Sequence, residues 1–214
     1  MNIFYVDTDA NIAAQSMVDK HVVKMILESA QLLSTAHRIL DGEVKVVANA
    51  KGRKTKRYVL ADSREDVIYK STHANHPSAV WARENSANYD WLYDHMMALG
   101  REYTHRYGRM HLSIQKLETI LSVRPNKIPF SNVMTKMPSC MDDDYILASQ
   151  DPVANYRNYY NKGKAALHRW TNRLPPSWIE GEVYVILPDE DDDEDYTGLV
   201  SRTIYTTIKK EINV

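Results

Sequence analysis

Asp19-Lys20-His21-Val22-Val23-Lys24-Met25-Ile26-Leu27-Glu28 sits inside a strong helical pattern that nevertheless carries a polar stripe. His21, Lys24, Glu28 and Gln31 are three, four and three residues apart, so they share one helix face. Val18, Val22, Met25, Ile26, Ser29, Leu32, Leu33 and Ala36 fill the broader opposite face. A helix that buries one side does not need an acid, a base and an amide aligned on the other. His, Lys and Glu in line can exchange protons near neutral pH. The plain alternative is a solvated face with Lys–Glu pairing at i, i+4.

Outward from this stretch the pattern stays helical. Asp7-Thr8-Asp9 offers N-caps for a helix over 9–16. The central helix is expected over 17–40, ending before Asp41-Gly42. Pro77 or Ser78 opens a long helix over 78–107, stopped at Gly108. A shorter helix over 113–122 precedes Arg124-Pro125, and Asp151-Pro152 caps another over 152–170, stopped by Pro175-Pro176. Residues 41–70 lose the period, and Lys51-Gly52-Arg53-Lys54-Thr55-Lys56-Arg57 reads as an exposed, mobile loop able to touch phosphates, or simply a solvated insertion. Val183–Leu187 and Ser201–Ile208 read as two strands separated by seven acids, Asp189 to Asp195. The expected fold is thus mainly α: a helical domain over 1–180, with a small C-terminal β-hairpin extension and acidic loop over 181–214.

Composition narrows the function. A single cysteine, Cys140, excludes an internal disulfide framework and a multi-cysteine zinc site. No apolar run approaches membrane-spanning length, and the opening residues lack the pattern of a signal peptide, so a cytoplasmic protein without a membrane partner is expected. Net charge is -1, yet residues 181–214 carry nine acids against three bases, leaving the body mildly basic. Fourteen Tyr and four Trp against two Phe supply flat faces with polar tips, suited to stacking on bases or to interfaces. Seven glycines form no phosphate-binding loop, and no Gly-x-Ser-x-Gly elbow is present. His73 and His76 have a ligand-like spacing without a clear third ligand, so neither metal nor cofactor is expected. On the middle helix Arg83 and Asn88 are candidates to read a base or sugar, against a structural role beside Trp81 and Trp91.

The Asp-x-His-x6-Glu pattern of Asp19, His21 and Glu28 resembles the early helix of the phage pyrimidine-dimer DNA glycosylases, the endonuclease V-like enzymes of T-even phages. Tyr156-Arg157-Asn158-Tyr159-Tyr160-Asn161-Lys162-Gly163-Lys164-Ala165 is similar to that family's C-terminal Tyr-Lys-Tyr-Tyr-Gly-Lys-Ala, with three residues inserted. The opening Met-Asn-Ile-Phe-Tyr resembles a branch of small phage proteins. The resemblance implies a DNA base-processing enzyme acting on a glycosidic bond or modified base in an infected bacterial host. In it Glu28 would stabilise a cationic sugar intermediate and manage protons. His21 would orient that carboxylate or the substrate. Tyr156, Arg157, Tyr159, Tyr160 and Lys164 would hold DNA or a nucleotide.

This chain also departs from the family. The family attacks with the amine of an N-terminal threonine exposed by loss of Met, whereas residue 2 here is Asn, which usually retains Met1, and the leader is about five residues longer. Two family arginines are replaced by Leu27 and Gln31. The expected nucleophile is therefore missing, with Lys24 as the same-face substitute if burial lowers its pKa. Schiff-base cleavage is expected to be weak or absent. Two rivals follow. One is an amino-group transferase of thymine hypermodification on a glycosylase-like scaffold, and the other is a non-catalytic binder of a nucleotide or host factor. Target base and oligomeric state are not legible.

Overall fold

The computed structural model describes residues 1–48, 52–188 and 201–208. Seven α-helices are found among them: α1 Ala10–Ser16, α2 Asp19–Asp41, α3 Arg64–Val67, α4 Pro77–Ala82, α5 Ser86–Tyr107, α6 Leu112–Leu121 and α7 Pro152–Gly163. Strands β1 Glu43–Ala48 and β2 Lys54–Val59 pair antiparallel. A second sheet runs β3 Arg169–Thr171, β4 Gly181–Pro188, β5 Ser201–Ile208, with β3–β4 parallel and β4–β5 antiparallel. The fold is mainly α with a small C-terminal sheet that contains the expected hairpin.

Asp9 caps α1 by accepting from the amides of Asn11 and Ile12. All eight residues assigned to the broad face of α2 are buried. They pack against α5, which contributes Tyr89, Leu92, Met96 and Leu99 to the same core. Two buried ionic clusters tie the outer elements to α2. At its start, Asp19 accepts from Arg106 Nη1 at 2.9 Å, from the Thr171 amide at 3.0 Å and from Thr171 Oγ1 at 2.8 Å, joining α5 and β3. Glu102 extends that cluster to Arg106 Nε at 2.7 Å and Arg173 Nε at 2.6 Å. At its end, the wholly buried Arg38 donates to the carbonyls of Tyr58, Glu65, Ile68 and Tyr69 and to the Glu65 carboxylate. Every one of these buried charges is paired, as burial requires.

Three elements differ from expectation. The helix over 78–107 is broken at Arg83–Asn85, because Asn85, extended at φ -156°, caps α5 by accepting from the Asn88 amide. The helix over 152–170 ends at Gly163, and Arg169–Thr171 leaves it to pair with β4. The second half of the basic block is not a loop: Lys54, Lys56 and Arg57 lie in β2, Gly52 and Arg53 precede the strand, and Lys51 falls outside the described residues. The acidic run Asp189 to Asp195 also lies outside them.

Candidate active site at the Glu28 face of α2

Glu28 lies halfway along α2, its side chain 12% exposed. One oxygen, Oε2, accepts from the backbone N–H of Asn2 at 2.9 Å, and the other, Oε1, is 3.1 Å from Lys24 Nζ. The amino end of the chain is therefore laid against the carboxylate. Asn2 fixes it there. Its side-chain amide donates to the Cys140 carbonyl at 2.8 Å, and its Oδ1 accepts from the amides of Ile3 and Phe4 at 2.8 and 3.2 Å. Phe4 adopts a left-handed φ of 56°, a conformation a non-glycine residue holds only when packing compels it. The packing is a ring cluster: Phe4 stacks on His21 with centroids 4.1 Å apart and meets Tyr159 at 6.1 Å and Tyr160 at 5.6 Å. The longer leader is thus folded back, which returns the amino end to Glu28.

His76 completes the polar surround. Its Nδ1 accepts from the Ser78 amide, capping α4. Burial holds its pKa below the usual imidazole range, with the chain's amino group and His73 adding to the effect and Glu28 opposing it. Amino group, imidazole and carboxylate are therefore close enough to sense one another. His73 is exposed and bonds to Thr72 Oγ1, and no group of three His, Cys, Asp or Glu among the described residues is arranged to hold a metal ion.

The other expected site residues divide. His21 is buried, and its Nδ1 is 2.6 Å from the Tyr160 hydroxyl. Desolvation first, then Lys164 and Lys24, push its pKa down to about 3. Burial keeps it neutral at physiological pH, stacked on Phe4 and hydrogen-bonded to Tyr160. Lys24 is 67% exposed, so it lacks the partial burial that its role as substitute nucleophile requires. Tyr156 and Tyr160 are completely buried, with the Tyr156 hydroxyl donating to the Pro138 carbonyl, so neither is open to DNA. Arg157 donates to the Val6 carbonyl at 2.8 Å and to Asp7 at 2.9 Å and stacks on Trp178, clamping the leader. Tyr159 and Lys164 remain partly open, with Lys164 Nζ 4.7 Å from the Tyr159 ring centre. Asn88 is fully buried and staples residue 135 to α4 through Thr135 and the Trp81 carbonyl, so it cannot read a base. Arg83 is half-buried and donates to the Ala79 carbonyl. Its burial lowers its pKa, with Tyr58 acting in the opposite sense. Sequence reasoning missed Asn2, Phe4 and Cys140; the opening Met-Asn-Ile-Phe-Tyr, one of only two Phe included, was the available signal.

A family model described as pyrimidine dimer DNA glycosylase matches residues 1–115. The chain belongs to that family. The matched span contains Asn2, His21, Lys24, Glu28 and His76, and stops before α7. Family membership assigns this glycosylase-like protein a role in processing DNA, and with it DNA as a partner. No curated protein and no solved structure matches the chain. Among the described residues no helix is long and apolar enough to cross a membrane.

Proposed function

We propose that this family member cleaves a glycosidic bond at a base flipped from DNA, with Glu28 as its essential carboxylate and a free α-amine at the amino end as its nucleophile. The observation that carries this reading is the 2.9 Å approach of the Asn2 nitrogen to Glu28 Oε2. The amine lone pair forms a bond to the sugar C1′. The glycosidic bond breaks with its electrons on the departing base, which takes up a proton. Loss of a proton from the attacking nitrogen and opening of the sugar ring, in which the C1′–O4′ bond breaks and O4′ takes up a proton, then give an imine. Positive charge grows on the sugar throughout, and a fixed carboxylate lowers that barrier electrostatically. A flipped base is required because the bond is inaccessible within the stack. This reading replaces Lys24 as nucleophile with the amino end. If Met1 is removed, the amine is the very nitrogen that now contacts Glu28; if it is kept, the amine is one residue further along.

Borohydride trapping on duplex DNA bearing a pyrimidine dimer or an abasic site tests it, because reduction locks the imine to the protein. The expected product carries DNA on residue 1 or 2, located by peptide mass mapping, and is lost when the amino end is acetylated. A cross-link mapped to Lys24 would overturn the nucleophile assignment. Base release without any cross-link would leave water as the attacking group, and tight binding without base release would favour the non-catalytic reading.

A further inference from the structure

We infer that the β1–β2 hairpin is a second, lesion-independent DNA contact, a basic ribbon that grips duplex phosphates away from the base being processed. Lys45, Lys54, Lys56 and Arg57 are all exposed on it. Lys45 stands directly opposite Arg57 in the register, a like-charge pair that weakens an isolated ribbon. None of the four cations has an ion-pair partner among the described residues. Four exposed cations without an ion-pair partner on one ribbon are charge available to an anionic partner.

Lys45, Val47, Thr55, Arg57 and Val59 share one face of the ribbon, and that face borders a cleft of about 370 Å³ whose far wall holds Ser71 and Lys70 with its ion-pair partner Glu65. The opposite face carries Lys54 and Lys56 beside the exposed Val44 and Val46. Cationic side chains, a hydroxyl and small apolar surface suit a sugar–phosphate backbone, which demands charge and shape but no base readout.

The ribbon is tied to the helix that carries Glu28. Arg38, on the same helix as Glu28, holds the Tyr58 carbonyl of β2 at 3.1 Å. Gly42 lets β2 lie close over the end of α2, since a Cβ there would meet the Tyr58 and Val59 carbonyl groups of β2 at 3.3 Å. Ten residues of helix separate Glu28 from Arg38, roughly 15 Å; for a duplex lying along α2 that is about four to five base pairs at 3.4 Å per step.

This inference rests on DNA as the partner and not on Glu28 chemistry, so it is tested on binding alone. Undamaged duplex is titrated with the Glu28→Gln protein, with and without Lys45→Gln, Lys54→Gln, Lys56→Gln and Arg57→Gln combined. Circular dichroism and thermal melting check that the fold is kept, and Arg57→Gln alone serves as a second variant. Each phosphate contact contributes about 0.9 to the slope of log K against log salt, so the combined variant should lose roughly three to four units of slope. On duplexes carrying a central pyrimidine dimer, which fixes the register, the loss should vanish when fewer than about four base pairs flank the dimer. An unchanged slope, or an equal loss on the trimmed duplexes, overturns the proposal. So does tighter binding to single-stranded RNA or to an acidic protein than to duplex. Failure of base release in the parent protein would leave this result intact.

Discussion

Asp19 and Glu28 belong to one sequence pattern on one helix, yet their surroundings are opposite. Asp19 is saturated by Arg106 and Thr171, with Arg169 3.5 Å away, and Glu102 beside it is gripped by Arg106 and Arg173. Glu28 has one backbone N–H and one largely exposed lysine. The first arrangement spends its carboxylates on holding α2, α5 and β3 together. The second leaves a carboxylate's charge available to a molecule that enters. Within a shared motif, the completeness of a carboxylate's partners separates Asp19, whose charge is spent on packing, from Glu28, whose charge is only partly matched.

The contrast breaks most readily at Arg106. Arg106→Ala would strand Asp19 and Glu102 without their shared buried cation and should cost about 3–5 kcal/mol of stability, read as a lowered urea midpoint. A cost under about 1 kcal/mol would show the cluster to be no stronger than a surface pair. Glu28→Gln should do the reverse: base release falls by roughly 100-fold or more, while the urea midpoint barely moves. A variant that melts early would make Glu28 another structural carboxylate.

Acid sharpens the comparison. Burial holds His21 near pKa 3, and His37 and His95 near 4, all below the ordinary imidazole value. The unfolded chain therefore binds more protons than the folded one between those values and about 6.5. Stability is complete above pH 6.5 and declines as pH falls towards 4, by about 1.4 kcal/mol per pH unit for each ring. Melting followed from pH 7 to 5 checks the sign; constant stability would mean the rings are accessible to protons in the fold. The smallest effect belongs to Lys24→Ala. An exposed i, i+4 pair contributes roughly 0.3–0.5 kcal/mol, so stability should hold and borohydride trapping should persist. A trap lost in that variant would restore Lys24 as the nucleophile.

Much of this was legible in the sequence. The apolar face of α2 lies where the period put it, and Asp9 caps α1 as a Ser/Thr/Asp-type cap should. Ser201–Ile208 pairs with the strand before the acidic run. The β1–β2 hairpin was not legible because both its faces are largely exposed, so alternation of apolar and polar residues has nothing to report. The break before α5 was signalled by Asn85-Ser86 as a cap, but the strong apolar pattern on both sides masked it. Tyr156 and Tyr160 show the limit of composition, since a tyrosine ready to stack on a base and one sunk in a core are the same letter. The approach of Asn2 to Glu28 spans 26 residues and depends on Phe4 taking a left-handed turn, which no local pattern announces.

That turn has a practical corollary. With the Asn2 amide against Glu28, a purification tag fused ahead of residue 1 must thread directly past the carboxylate. Such a fusion should fold, melt normally and release no base, and proteolytic trimming back to the first residues should switch it on. The protein would then be its own reporter for an intact amino end.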